Sequence, residues 1–195
     1  MIDNALAERG MFQERGYAIV QKLIPDIMCQ HIAKNIQMLQ KSACLEYGDD
    51  HVKNAYSGYG LPSTELLLRI VMPKISEITN CRLCPTYSYA RIYLQGAELP
   101  KHVDRPSCEI SATLAISYNS PRIWPIFIET NRGTVSIKLE QGDALVYSGI
   151  DIPHWREKFD GEYQIQVFLH YIREDGQYKE FIFDKRSHLD TPLFE

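Results

Sequence analysis

The chain has 195 residues, of which 45% are hydrophobic and 24% charged, with a formal net charge of −4. That is ordinary globular composition, long enough to bury a core without disulfide staples. The acidic balance argues against a basic face for duplex nucleic acid, and 11 glycines with 10 prolines are too few for a disordered or collagen-like chain.

The opening MIDNALAERGMFQERG is polar and charged and lacks the apolar run of a signal peptide. No stretch approaches 18 consecutive apolar residues, so no membrane span is expected. Residues 16–20 read as a short strand, because a glycine precedes an apolar, β-branched run. Pro25 and Asp26 then open a helix to about residue 42, with Ile27, Met28, Ile32, Ile36 and Leu39 recurring near the helical period. Residues 43–62 carry Gly48, Gly58, Gly60 and Pro62 and read as a loop. A second buried helix at 63–79 follows, with Ser63 or Thr64 as its N-cap. The five cysteines, Cys29, Cys44, Cys81, Cys84 and Cys108, are odd in number and read as reduced thiols of a cytoplasmic protein. The lone Cys81-Arg-Leu-Cys84 reads as a helix end entering a strand.

From about residue 86 the pattern changes to short strands, at 87–95, 98–104, 109–118, 124–130, 134–140, 143–148, 153–159 and 162–173. Glycine-bearing turns separate several of them, at Gln95-Gly96, Arg132-Gly133, Gln141-Gly142 and Asp160-Gly161. Eight such strands predict a mainly β fold, a jelly roll or cupin-like barrel preceded by N-terminal helices. The expected organisation is one domain over 1–195. Residues 1–85 form a mostly helical support, 86–173 the barrel and 174–195 a C-terminal extension. The helices brace one sheet and offer a face on which a homodimer could form.

The chemistry concentrates in Leu99-Pro-Lys-His102-Val-Asp104. On a strand, residues i and i+2 share a face, so His102 and Asp104 are expected to present an imidazole and a carboxylate to one point. His154 opens the seventh predicted strand and would reach the same barrel mouth. Two histidines and a carboxylate on one face of a metal suit non-haem Fe(II). An isolated HxD is common by chance; here its order relative to the strands and to Pro153-His154-Trp155 gives it weight.

YARIYLQGAELPKHVDRPSCEISATLAI, GDALVYSGIDIPHWREKF and YQIQVFLHYI together resemble the Fe(II)/2-oxoglutarate-dependent dioxygenases, nearest the prolyl-hydroxylase-like branch. The resemblance spans roughly residues 86–173 and implies a double-stranded β-helix. It also implies Fe(II) held by His102, Asp104 and His154, with 2-oxoglutarate as co-substrate and O2 as oxidant. The outcome would be hydroxylation of a C–H bond in a small molecule, an amino acid or a peptidyl residue. Tyr93 matches a tyrosine that binds 2-oxoglutarate in such enzymes.

One expected feature is missing. The family has a Lys or Arg nine to twelve residues after the distal histidine, whereas this chain has Tyr163, Gln164, Ile165 and Gln166. By strand parity Arg156 and Arg91 are equal candidates for the cation that holds the far carboxylate of 2-oxoglutarate, and Lys158 ranks third. The same gap keeps open a cupin-like metal enzyme that does not use 2-oxoglutarate, and a non-enzymatic β-barrel binding module. Arg105 and Glu109 flank the motif, either shaping the substrate site or pairing with each other. Trp155 either walls the metal pocket or packs outward. His170 is expected to be structural, and His31, His51 and His188 have no partner pattern.

Overall fold

A computed structural model describes residues 2–189, with side chains from residue 6 onward. The elements run α1 (Ile2–Arg15), β1 (Tyr17–Val20), α2 (Asp26–Lys41), β2 (Glu46–Tyr47), β3 (Ala55–Tyr59), α3 (Pro62–Thr79), β4 (Leu83–Leu94) and β5 (Leu99–His102). They continue with β6 (Ile110–Asn119), β7 (Ile126–Thr130), β8 (Gly133–Ile137), β9 (Ala144–Ser148), β10 (His154–Arg156) and β11 (Tyr163–Arg173). The pairing is antiparallel throughout, in two sheets: seven strands ordered β1-β9-β6-β11-β4-β3-β2, and four ordered β5-β10-β7-β8. This is the jelly roll expected from the turns, and it agrees with the double-stranded β-helix that the resemblance implies.

Strand parity divides the large sheet into two chemical faces. On β11, Ile165, Val167, Leu169 and Tyr171 join the core beneath the helices. The alternate residues Gln164, Gln166, Phe168 and His170 turn toward the smaller sheet. Against the apolar face lie Ile32 and Ile36 of α2 and Leu67, Leu68, Val71, Ile75 and Ile78 of α3, all nearly inaccessible to water. Tyr171 joins the layers by donating its hydroxyl to the Leu68 carbonyl at 2.8 Å. No helix among the described residues is long and apolar enough to cross a membrane. All five cysteines are free thiols.

Several boundaries differ from the sequence reading. The opening segment forms helix α1; Phe12 anchors it in the core, and Glu8 meets Lys74 of α3 at 3.0 Å. Its weak apolar periodicity hid it, because contact with α3 and β1 carries it instead. The expected loop at 43–62 contains β2 and β3, and β3 extends the large sheet by pairing Ala55–Tyr59 with Tyr93–Tyr89. Neither Ser63 nor Thr64 caps α3. Leu61 holds the N-cap position with Pro62 in the first turn, where the missing N–H is harmless, while Ser63 donates to Asn35 at 2.7 Å. Strands expected at 98–104 and 153–159 shorten to Leu99–His102 and His154–Arg156. Of the extension at 174–195, residues 190–195 lie outside the described residues.

Leu68 is fully buried between α3 and the sheet. Leu68→Ala is expected to lower unfolding stability by about 2–5 kcal/mol, the usual effect of a truncated core leucine. Urea denaturation checks this: the midpoint falls while the slope stays unchanged.

Candidate active site

The neighbouring strands β5 and β10 place His102 directly opposite His154 in the antiparallel register. The rings sit 4.3 Å apart at 51°. Each Nδ1 lies near the carbonyl two residues earlier, His102 at 2.8 Å from Pro100 and His154 at 3.0 Å from Ile152. A carbonyl only accepts, so each Nδ1 carries the proton and each Nε2 keeps a lone pair. Burial holds the His154 pKa below its ordinary value, although Asp104 opposes this, so burial favours the neutral ring. The Tyr147 hydroxyl donates to His154 Nε2 at 3.2 Å.

Asp104 completes the group by a different route from the expected strand parity. Strand β5 ends at His102, and Asp104 lies in the following loop. Its backbone N–H donates to the Gly149 carbonyl at 2.9 Å, which draws the loop against the turn after β9. The Asp104 Oδ1 atom then sits 3.7 Å from His102 Nε2 and 3.6 Å from His154 Nε2. Ligand atoms from the three residues all fall within 4.8 Å of one another. This is a two-nitrogen, one-oxygen set suited to a divalent transition metal. Asp104, Cys108 and His170 form a second group of the same compactness. In that group Ser111 already bridges Asp104 and His170, and burial pushes the Cys108 thiol up to about 12, so it stays protonated.

The first group faces a cavity of about 560 Å³, walled by Tyr87, Tyr89, Arg91 and Phe168 from the large sheet. The loop joining β2 and β3 forms part of its rim. Asp49 stiffens that loop by accepting the N–H groups of His51 and Val52 at 2.9 and 2.7 Å. Its other oxygen accepts the Tyr89 hydroxyl at 3.1 Å and pairs with the Arg91 guanidinium. Burial opposes ionisation of Asp49, but Arg91 and the two backbone N–H groups outweigh it and hold the carboxyl below its ordinary range. His51, set aside on sequence grounds, stacks on His102 at 5.6 Å.

The cation candidates separate clearly. Arg156 is 2% exposed, donates Nη1 to the Trp124 carbonyl at 2.8 Å and lies 4.8 Å over the Trp124 ring. Its Nε has no partner, and it makes no ion pair with a described residue. Burial lowers its pKa to about 10, so it remains protonated near neutrality. Arg91 is also buried, but Asp49 neutralises it, and its Nη1 reaches the Tyr93 hydroxyl at 3.4 Å. Lys158 is exposed on the outside, because β10 ends at Arg156 and the parity argument ends with it. Gln164 donates to Gln166, which donates to Thr113, leaving Gln164 Oε1 buried without a donor. Tyr93 is fully buried near this end.

The flanking residues serve other purposes. Arg105 forks onto Asp184 at 2.9 and 2.7 Å rather than onto Glu109, which instead accepts the Arg173 N–H at 2.8 Å. Trp155 turns away from the cavity and stacks on Phe127 at 5.6 Å.

No protein-family model and no curated protein sequence matches the chain. Solved structures do. A prolyl-4-hydroxylase from Pseudomonas putida superposes with a TM-score of 0.72 at 12% identity, covering 87% of this chain and 99% of that one. The non-haem α-ketoglutarate-dependent epimerase SnoN of nogalamycin biosynthesis gives 0.76 at 9% identity, covering 89% and 84%. A prolyl hydroxylase from Trichoplax adhaerens, in complex with a hypoxia-inducible-factor peptide, gives 0.72 at 14%, covering 88% and 90%. At such identities the likeness establishes a shared fold, that of the Fe(II)/2-oxoglutarate oxygenases.

Gly149 carries a steric demand at the centre of the group. A Cβ there would lie 2.4 Å from the Cys108 carbonyl oxygen, 2.5 Å from Asp104 Oδ2 and 2.6 Å from Ser111 Oγ. Gly149→Ala is therefore expected to displace the Asp104 carboxylate and to lower stability by about 1–3 kcal/mol. Thermal unfolding with and without a divalent metal checks both effects, and metal should stabilise the variant less than the wild type.

Proposed function

We propose that the protein is a non-haem Fe(II)- and 2-oxoglutarate-dependent oxygenase that hydroxylates a C–H bond of a small molecule, an amino acid or a peptidyl residue, releasing succinate and CO2. One observation carries this reading. A His–Asp–His donor set opens onto a cavity, and behind it lies a buried, protonated arginine without an acidic partner among the described residues. An unpaired buried charge is strongly unfavourable, so an anion belongs beside Arg156 when the protein works. The shared fold supports the same reading.

His102, Asp104 and His154 would hold Fe(II), the carboxylate offsetting part of its charge. Bound Fe(II), with 2-oxoglutarate as the electron donor that is oxidised to succinate and CO2, would activate O2, the oxidant, toward an unactivated C–H bond. Arg156 would anchor the far carboxylate of the co-substrate, with Tyr93 donating its hydroxyl to the same end. Arg91 is the weaker anchor, because Asp49 already uses its charge; it holds the Tyr93 hydroxyl and ties the rim loop to the sheet. Tyr87, Tyr89 and Phe168 exclude water from the chamber and leave a mouth rimmed by the loop of Asp49 and His51 for the substrate. Free thiols and a Fe(II) centre both suit a reducing cytoplasmic setting.

Succinate formation from 2-oxoglutarate, measured anaerobically and in air with Fe(II), tests the reading. Wild type should form succinate only in air, and His154→Ala should form none. Arg156→Met should raise the KM for 2-oxoglutarate by on the order of 10²-fold, the effect of losing ~2–3 kcal/mol of charge-assisted hydrogen bonding. Tyr93→Phe should raise it less. An enzyme that binds iron but never consumes 2-oxoglutarate would belong instead with the cupin-like metal enzymes.

A further inference from the structure

We infer that His170 and Ser111 form a hydrogen-bond relay that fixes the Asp104 carboxylate as a one-oxygen metal ligand, and that both are positioning residues. The inference rests on the metal reading above and goes beyond it to two residues outside the His102–Asp104–His154 donor set. Ser111 of β6 and His170 of β11 are direct cross-strand partners, 1% and 5% exposed. Ser111 Oγ lies 2.8 Å from Asp104 Oδ2 and 3.0 Å from His170 Nδ1.

The directions in this chain follow from proton counting. An ionised carboxylate only accepts, so Ser111 must donate its single hydroxyl proton to Asp104. The Cys108 carbonyl is a competing acceptor, but it is neutral and farther away, at 3.3 Å. With its proton committed, Ser111 Oγ accepts from His170, which therefore carries its proton on Nδ1. Burial pushes the His170 pKa down to about 4, so the ring is neutral and holds that single-proton form.

The outcome is a carboxylate with two unlike oxygens. Oδ2 is occupied by Ser111 and hemmed in at Gly149, where even a methyl group would collide with it. Oδ1 alone is left facing the two imidazole Nε2 atoms. A carboxylate free to turn could give both oxygens to the metal and take a position that the reactants need. The relay prevents that rotation. Partners of this kind, behind a metal ligand, typically change affinity by about 10–100-fold.

Anaerobic Co(II) titration, followed by visible ligand-field absorption and without turnover, tests the relay. Wild type should bind Co(II), and His154→Ala should not. Ser111→Ala should bind about tenfold more weakly and show a shifted spectrum, which a loss of stability alone would not produce. His170→Leu should move both readouts in the same direction. His170→Asn, which keeps an N–H close to the Nδ1 position, should recover most of the wild-type values. A Ser111→Ala protein with wild-type affinity and spectrum would overturn the relay while leaving the metal reading intact. His170→Asn behaving like His170→Leu would remove His170 from it, and that comparison decides even where Ser111→Ala fails to fold. A wild type that takes up no Co(II), or a His154→Ala protein that binds it equally well, would overturn the metal reading and the relay together.

Discussion

The antiparallel pairing of β5 with β10 is the constraint around which the site is organised. It is a short contact, yet it sets His102 opposite His154 and brings together residues 52 positions apart in the chain. A register slip by one residue would turn His154 to the opposite face and bring Trp155 inward. Two features protect the register. β10 is also paired on its other side, with His154 opposite Ile128 and Trp155 opposite Phe127. Arg156, one pleat further on, is held by the Trp124 carbonyl and ring. The histidine pair and the buried cation therefore depend on the same three-residue strand.

The charges inside the barrel are arranged unequally. Among the described residues two arginines are buried between the sheets, and of these only Arg91 has a carboxylate partner. Arg91 thereby becomes structural: it binds the loop of Asp49, and that loop carries His51 over His102. Arg156 meets instead the ring and the carbonyl of Trp124, which solvate a cation only partly. The glutamine pair on β11 adds hydrogen-bonding capacity without charge, so the deep end keeps its net positive character. The buried cation therefore comes from the strand of His154 and not from the last strand, β11.

Much of this was legible in the sequence. The turns and the eight closely spaced short strands predict a jelly roll or cupin-like barrel, and the helices at 25–42 and 63–79 lie close to α2 and α3. HVD and PHW identify three residues whose donor atoms the fold brings together. The remainder was hidden for physical reasons. Asp104 reaches the group through a loop pinned by Gly149, and no periodicity records such a long-range backbone hydrogen bond. Asp49 and His51 lie in a glycine-bearing segment that reads as a loop, and only the pairing of β3 with β4 brings them to the cavity. Ser111 looks like a small residue on a buried strand; its role depends on which residues stand opposite it.

The position of β5 has a further consequence. It is an outer strand of the four-stranded sheet, so among the described residues one side of its backbone has no neighbouring strand. Exposed strand edges of this kind recruit strands from other molecules and seed aggregation. Here the tetrapeptide is Leu99-Pro-Lys-His102. Pro100 has no N–H to offer an incoming strand, and Lys101 sets a charge beside it, held by Glu129 at 2.7 Å. The same proline contributes the carbonyl that orients the His102 ring. One residue thus serves both the proposed metal site and colloidal behaviour, making an open edge beside that site a poor template for polymerisation.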